Sequence, residues 1–549
     1  MNFNKKSVGK KFPIVPIYAA AALIFGLSSG VMTLIHFSGS VWGTVQENYM
    51  LPMSLKTVFI FLGVSVLTYA LLSMGTYFIP KRVSGFLPEW WSDKRFLVLA
   101  AVLLFLAWLP YYLSYYPGGI YSDTFASISM ALGNGELKNT HPVIYTLMLR
   151  GVIEFFEGFG GTLFQALAAF FALQMLAVEG TILYFIWWML KHKLPKWLAV
   201  CSMIYLIFFP LVPLNAVSVW KDIPFSLAVL FYTLNLIDLY LQHKRDERSY
   251  GASVGCMVWG LLVILTRNNG IYIVVGTTVF YILATFRHYK NRRYGGVVYG
   301  LMILGILLSV VIEGPVYKSM GVKERNFTAF LGIPLQQVGR VVAYDGTITE
   351  EQKVQLERFM PYEEMKAKYV PCLTDSLKWD ASFQHDYMNT HKNEFFRLWF
   401  ELLLQNPKEY VKAYIMNTAG FWCLNVAGFD AYIQNNVWPN TSGIEQTDLF
   451  QKWFGFSFQN VVNPKKAISS AWYFWFLFFS MVICWKQFGF RKLAVYMPLF
   501  LVWATLMAAT PIAVSMRYVE PLIFAAPLFV GILLLMQREE GWRKNSLTE

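Results

Sequence analysis

Charged residues are scarce in this chain of 549 residues: Asp, Glu, Lys and Arg make up 14% of it, against about 25% in an average soluble domain. Hydrophobic residues make up 56%, and the mean hydropathy is +0.44. This balance argues against a soluble enzyme with a single aqueous surface. It also excludes a disordered chain, which carries few hydrophobic residues and many charges.

Cysteine is scarce as well, with five residues in the whole chain. None of them forms a CxxC pair, so a structural zinc site or a redox motif has no support. Cys372 and Cys423 fall in the region predicted below to be extracytoplasmic and therefore oxidising, and the sequence is compatible with either a disulfide between them or two buried free thiols. No P-loop, GxGxxG, HExxH or GxSxG pattern stands in a context that would give it weight, which argues against ATP-driven or cytosolic nucleotide chemistry.

Long apolar runs are the dominant pattern. A spanning helix needs about 20 mostly apolar residues, and the first such run follows a basic N-terminus. A cleaved signal peptide has a similar pattern, but this run is long enough to span and no clear cleavage site ends it. The predicted spans number twelve and cover residues 13–37, 55–79, 96–114, 162–190, 196–216, 223–242, 250–266, 271–286, 295–314, 468–485, 493–511 and 520–536.

The charges are unevenly placed along these spans. The net charge is +13, and with the N-terminus inside, the tails and loops on that side hold 24 of the 46 Lys and Arg residues. Positive residues concentrate on cytoplasmic loops, so both termini are predicted to be cytoplasmic in a multi-pass protein of the cell membrane. The basic balance is therefore an orientation signal rather than a surface for nucleic acid.

Two stretches are placed outside the membrane. In residues 141–158, Arg150, Glu154 and Glu157 recur at helical spacing, which is typical of an amphipathic interfacial helix. Residues 315–466 are hydrophilic, with 16 basic and 16 acidic residues. The predicted fold is an all-α polytopic membrane protein with three parts: a membrane domain over 1–314 that carries an outer catalytic loop at 115–161, a mostly helical extracytoplasmic domain over 315–467, and C-terminal helices with a cytoplasmic tail over 468–549.

Polar residues gather at the predicted outer ends of the helices. Ionisable residues at membrane level are costly and often mark a functional pathway. Each has a simpler reading: the cations could snorkel to the interface, Asp222 could cap a helix, the Asn residues could form a turn, and His141-Pro142 could start a helix. Their convergence on one face favours an anionic, hydroxylated ligand, and the candidates are Asp123, His141, Lys221, Asp222, Arg267, Asn268, Asn269 and Arg517.

The segments YYPGGIYSDTF and NTHPVIYTLMLRG, followed by WKDIPF, TRNNG and MRYVEP, resemble the outer-edge motifs of the GT-C superfamily. These are polytopic glycosyltransferases that use lipid-phosphate-linked sugars, and the likeness covers about 96–314 and 468–536. It implies a sugar transfer from a polyprenyl-phosphate donor to a surface glycan, polymer or protein. The reaction is expected at the outer face of the membrane, in contact with membrane lipids. The likeness also implies Asp123 as general base in an inverting reaction, Asp222 as a second catalytic carboxylate and Arg517 as the main phosphate ligand.

The remaining cations and amides have supporting roles under this resemblance. Lys221 and Arg267 are secondary phosphate ligands, while Asn268, Asn269 and His141 bind hydroxyls or orient the base. Some family members hold a divalent metal on an Asp-x-Asp pair, which the sequence Ser-Asp-Thr at 122–124 lacks. Magnesium or manganese is therefore expected only if Asp123 and Asp222 meet in space.

Other functions fit parts of the same pattern. Twelve spans with both ends inside are also common in secondary transporters, although the long insert follows the ninth span instead of dividing two halves. A lipid-linked-glycan flippase or a polymer ligase would suit the same outer cations. A structural scaffold would not require clustered carboxylates and cations.

Overall fold

A computed structural model describes residues 15–546, apart from 79–92, 121, 219–220, 246, 288, 290, 428–436, 438–439, 441–442 and 463–467. The described chain is helical almost throughout, with a single two-stranded antiparallel pair, β1 (Ile35–His36) and β2 (Tyr49–Met50). The first half of the chain contains the helices α1 (Pro16–Met32), α2 (Leu55–Phe78), α3 (Asp93–Ser114), α4 (Ser122–Ala131), α5 (Val143–Gly158), α6 (Leu163–Lys191), α7 (Lys196–Phe208), α8 (Leu211–Ala216), α9 (Asp222–Arg245), α10 (Gly251–Thr266), α11 (Gly270–Thr285) and α12 (Arg292–Val311).

Within the described residues, seven stretches of helix are long and apolar enough to cross a membrane: Leu55–Gly75, Asp93–Ser114, Leu163–Lys191, Asp222–Arg245, Arg292–Ser319, Phe490–Ala509 and Met516–Glu540. Four predicted spans correspond to shorter apolar helices of 10–17 residues, α1, α7, α10 and α11. The presence of twelve spans therefore stays a prediction, while the helices agree with an all-α membrane protein.

The predicted span 196–216 is not one helix. The helix α7 ends at Phe208, and after Phe209 and Pro210 the chain turns into the short helix α8. Phe209 is extended, with ψ at 108°, as the residue before a proline favours. The proline ring therefore divides an apolar run that hydropathy alone reads as continuous.

The outer faces of the long helices carry exposed apolar side chains. Phe59 and Val66 on α2 are both 71% exposed, and Val98 on α3 is 65% exposed. Monomeric soluble proteins rarely expose contiguous apolar patches larger than a few hundred Å². Hydrocarbon around the helices accounts for these faces, since lipid tails are as apolar as the side chains.

The chain continues beyond α12 through a π-helical turn at Ile312–Val316 into α13 (Tyr317–Ser319). Short helices follow a 3₁₀ turn at Phe327–Phe330 and gather around a separate apolar core that includes Leu335, Leu356 and Leu398. They are α14 (Gly332–Ala343), α15 (Glu350–Glu357), α16 (Tyr362–Lys368), α17 (Asp375–Lys378), α18 (His385–Thr390), α19 (Lys392–Gln405) and α20 (Pro407–Thr418).

The last quarter of the described chain returns to the membrane-type helices. After a 3₁₀ turn at Ala419–Phe421 come α21 (Leu449–Phe454), α22 (Gln459–Val462), α23 (Ala471–Phe488), a 3₁₀ segment at Phe490–Tyr496, α24 (Met497–Ala509), a 3₁₀ turn at Met516–Val519 and α25 (Glu520–Ser546). The helices α9 and α25 are the most deeply enclosed of the seven candidate spans.

The helical bundle has two chemically different ends. At one end, basic side chains lie against acids: His192 Nε2 is 2.8 Å from Asp238 Oδ1, Arg245 pairs with Glu539, and Lys492 pairs with Glu540. The helix α9 runs from this end to Asp222 over 24 residues, about 36 Å at the rise of an α-helix. That length exceeds the roughly 30 Å of a bilayer core, so Asp222 lies at the opposite end.

Candidate functional site

Four segments distant in sequence meet at the Asp222 end of the bundle. They are the first turn of α4, the start of α9, the α10–α11 turn and the 3₁₀ turn before α25. Asp222 is completely buried there, and each of its carboxylate oxygens takes one guanidinium, Oδ1 that of Arg267 and Oδ2 that of Arg517. A buried carboxylate needs such partners because an uncompensated charge away from water is strongly destabilising.

Arg517 links the buried carboxylate of Asp222 to the partly exposed carboxylate of Asp123. Its Nη2 donates to Asp123 Oδ2 at 2.8 Å, while its Nε donates to Asp222. Lys221 Nζ lies 3.4 Å from the same Oδ2 of Asp123. The Asp123 side chain is 38% exposed, against 17% for both cations. Asp123 is therefore the carboxylate that faces the outside of the cluster, and Asp222 is the one that positions its arginines.

His141 completes the cluster behind Lys221. Lys221 Nζ donates to His141 Nδ1 at 2.8 Å. Burial, together with the positive charge of Lys221, lowers the pKa of His141 to about 4. The imidazole is therefore neutral near pH 7, and because Nδ1 accepts from Lys221, its proton is assigned to Nε2.

The cations set the ionisation of Asp123. Burial alone would raise the pKa of this carboxyl, but Lys221 and Arg517 outweigh it and hold the pKa well below its usual range. Burial also lowers the pKa of the Lys221 ammonium from its ordinary value. In this state Asp123 is an ionised acceptor whose basicity is suppressed by its two cations.

The loop before Asp123 is held against the loop before Lys221. Gly119 N–H donates to Val217 O at 3.1 Å, and the amide of Gln174 on α6 donates to Ser218 O at 2.7 Å. Gly118 has a φ of +142°, and a Cβ there would lie 2.5 Å from the Phe171 ring. Only glycine permits both that backbone conformation and that approach.

The short helices after α13 hold the segment that leads to Arg517. Thr374 N–H donates to Pro511 O at 2.8 Å, and Ala513 N–H donates to Cys372 O at 2.9 Å. The side chain of Asn417 donates to Thr510 O at 3.0 Å. The hydrophilic region is thus bonded directly to the segment that leads to Arg517, a contact that no local pattern in the sequence signals. Cys372 and Cys423 are both buried and free, in one apolar cluster.

The asparagines of the α10–α11 turn stand apart from the ion pairs. Asn269 donates to Thr505 Oγ1 at 2.8 Å and so ties the turn to α24, while Asn268 is half-buried on the same turn. Neither is among the hydrogen-bond partners of Asp123 or Asp222 that the described residues show. Asn269 thus ties the turn to α24, and hydroxyl binding by either asparagine stays a prediction.

Two aromatic side chains belong to the cluster without having been expected from the sequence. The guanidinium carbon of Arg267 lies 4.8 Å from the centre of the Tyr518 ring and 5.4 Å from that of Phe225. Cations over aromatic faces are stabilised by the ring quadrupole. Tyr518 directly follows Arg517 and Phe225 lies one turn after Asp222, so the rings contact Arg267 from the elements that carry Arg517 and Asp222.

The residues present do not fit a metal shared by the two carboxylates. Arg517 bonds to both Asp123 and Asp222 and thereby fills the position between them. A guanidinium in that place repels a divalent cation. Among the described residues, moreover, no three His, Cys, Asp or Glu side chains are grouped as a metal ion would require.

Fold and site together define the class: an all-α membrane-type protein with a charged cluster at one end of its helical bundle. Residues 130–547 match DUF6020, a family of unknown function, and the chain belongs to that family. The matched region contains every cluster residue except Asp123. No curated protein matches the chain, and no solved structure matches it either.

Proposed function

We propose that this protein is a membrane glycosyltransferase that moves a sugar from a polyprenyl-phosphate donor to a hydroxyl of a surface glycan, polymer or protein. One observation carries the proposal: Asp123 is a partly exposed carboxylate flanked by Lys221 and Arg517, and Arg517 is anchored from behind by buried Asp222. Sugar transfer from a lipid phosphate needs a base beside cations.

The charge of the cluster suits this donor. Three cations and two carboxylates leave one net positive charge while His141 is neutral. A polyprenyl-phosphate sugar is a phosphodiester with one negative charge, and its phosphate gains a second as the sugar departs. Fixed cations that meet a growing charge stabilise the transition state more than the ground state. Arg517 also offers the forked geometry that binds phosphate oxygens in pairs.

In the proposed transfer, one proton and one electron pair move as follows. The acceptor hydroxyl oxygen attacks the anomeric carbon from the face opposite the phosphate, and its proton passes to Asp123. The bond from the anomeric carbon to the phosphate oxygen breaks, and its electron pair stays on the polyprenyl phosphate beside Arg517 and Lys221. Attack from the opposite face inverts the configuration at the sugar carbon.

Donor binding supplies the base that this step requires. Lys221 and Arg517 suppress the basicity of Asp123 while they pair with it. A donor phosphate competes for both cations, and each contact that it takes from Asp123 raises the pKa of that carboxyl. The proton acceptor is therefore strengthened only when the leaving group is in place.

The experiment is a transfer assay with a matched pair of carboxylate variants. Purified protein in liposomes receives a panel of polyprenyl-phosphate sugars carrying a radiolabelled sugar, with cell envelope from the source organism as acceptor. We expect Asp123→Asn to abolish transfer and Glu136→Gln to retain it, since Glu136 is 60% exposed and pairs only with surface lysines among the described residues. Full transfer by Asp123→Asn would remove Asp123 from the mechanism, and movement of intact donor across the bilayer without transfer would favour a flippase.

A further inference from the structure

An aromatic patch stands exposed within the region that the sequence assigns to the aqueous outer domain. It consists of Trp453, Phe454 and Phe456, which are 65%, 59% and 54% exposed. Scattered single apolar residues on a surface need no explanation, but three large adjacent rings do. Something other than water is expected to cover them.

The patch is built on an ordered scaffold. Asp448 caps α21, with Oδ1 accepting from Gln451 N–H at 2.7 Å and Oδ2 accepting from Ser457 Oγ at 2.8 Å. Phe450 is half-buried, with its ring centre 4.5 Å from that of Phe454 and 5.4 Å from that of Phe456. These contacts hold the outer rings in place, so their exposure is a fixed property of the fold.

The scaffold is attached to the end of a candidate membrane span. Gln459 donates to Ser114 O, the last residue of α3, at 2.6 Å. The rings of Phe458 and Tyr111 pack edge to face at 5.1 Å. Further along the same helix, Val98 and Leu106 are 65% and 57% exposed, as lipid-facing side chains are. The aromatic patch is thus joined to the end of a helix whose exposed side chains hydrocarbon covers.

We propose that residues 449–461 form a membrane-interface anchor, with Trp453, Phe454 and Phe456 inserted into the headgroup–acyl boundary of the leaflet on the Asp123 side. Aromatic residues are enriched at that boundary, where apolar rings find hydrocarbon and polar edges stay near water. Lys452, exposed beside the rings, suits the phosphates of the headgroups. The anchor would fix the height of the neighbouring Tyr116 loop, since Thr447 N–H donates to Tyr116 O at 2.7 Å.

Site-specific fluorescence quenching tests this anchor independently of any enzymatic activity. Cys201, the exposed cysteine among the five, is replaced by Ser, and an environment-sensitive fluorophore is attached at Trp453→Cys. The protein is reconstituted into vesicles of phosphatidylcholine and phosphatidylglycerol. We expect lipids brominated high on the acyl chain to remove most of the emission and aqueous iodide to remove little. Phe456→Cys repeats the measurement should the first variant not fold.

Glu357→Cys on α15 is the matched control, because that side chain is exposed on a helix that packs on the separate apolar core of the hydrophilic region. Its label should be quenched by iodide and unaffected by brominated lipid. Iodide quenching at residue 453 equal to that at residue 357 would overturn the anchor. A label shielded from both quenchers would also overturn it, because the patch would then be covered by a second protein surface.

Discussion

Replacing Asp222 by Asn tests whether the buried carboxylate holds the cluster together. The substitution keeps the shape of the side chain but removes the charge that pairs with Arg267 and Arg517. Breaking a buried ion pair by removing one partner costs about 3–5 kcal/mol, because the remaining charge is left uncompensated. Arg517 keeps Asp123 as a partner, and the amide oxygen still accepts one hydrogen bond. We therefore expect a loss near the lower limit, about 3 kcal/mol, measured by denaturant unfolding in detergent.

The control and a second variant make this prediction specific. Glu136→Gln removes an exposed carboxylate and should change the free energy of unfolding by less than about 0.5 kcal/mol, as most surface substitutions do. The double variant Asp222→Asn/Arg267→Gln should lose less free energy of unfolding than the sum of the two single variants. The reason is that Arg267→Gln removes the charge that Asp222→Asn leaves unpaired. If Asp222→Asn were as stable as Glu136→Gln, or if the two losses simply added, Asp222 would not be the anchor of the arginines.

Three further outcomes follow from the same contacts. Asp123→Asn should bind polyprenyl monophosphate more tightly than the wild type in a calorimetric titration, because the carboxylate no longer competes for the cations. Arg517→Ala should bind it more weakly. Equal affinities of all three proteins would show that the cluster does not bind phosphate. The native protein should lose stability as the pH falls from about 6.5 towards 4, because the unfolded state protonates His141 first, and His141→Asn should flatten that part of the pH profile; an unchanged profile would place the titration elsewhere. Gly118→Ala should lower the melting temperature, since its Cβ meets the Phe171 ring, and wild-type stability would show that the loop can shift.

Local patterns predict the helices of this fold well. The charged spacing in residues 141–158 predicts an amphipathic helix, and α5 occupies Val143–Gly158, with Arg150 donating to the last carbonyls of α4 and with Glu154 and Glu157 exposed. Thr349 caps α15 as its position suggests, and the Asn406-Pro407 step divides α19 from α20. These features depend on residues within one or two turns of each other.

Longer-range features could be predicted only in part. The grouping of Asp123, Lys221 and Arg517 follows from their shared position at the predicted outer ends of the helices. Which carboxylate is buried does not follow, because Asp222 and Asp123 look alike in sequence. The support of Arg267 by the Tyr518 ring and the bonding of Thr374 to Pro511 depend on contacts between distant segments, which hydropathy and spacing do not encode.

The proposed transfer is tested directly by the conversion of a polyprenyl-phosphate sugar into free polyprenyl phosphate. Protein in liposomes is incubated with donor and envelope acceptor, and both lipid species are quantified by mass spectrometry. We expect free polyprenyl phosphate to accumulate in step with labelled acceptor for the wild type and for Glu136→Gln, and not to accumulate for Asp123→Asn. Donor that stays intact with the wild type across the whole panel of sugars, or that is consumed equally well by Asp123→Asn, would contradict it.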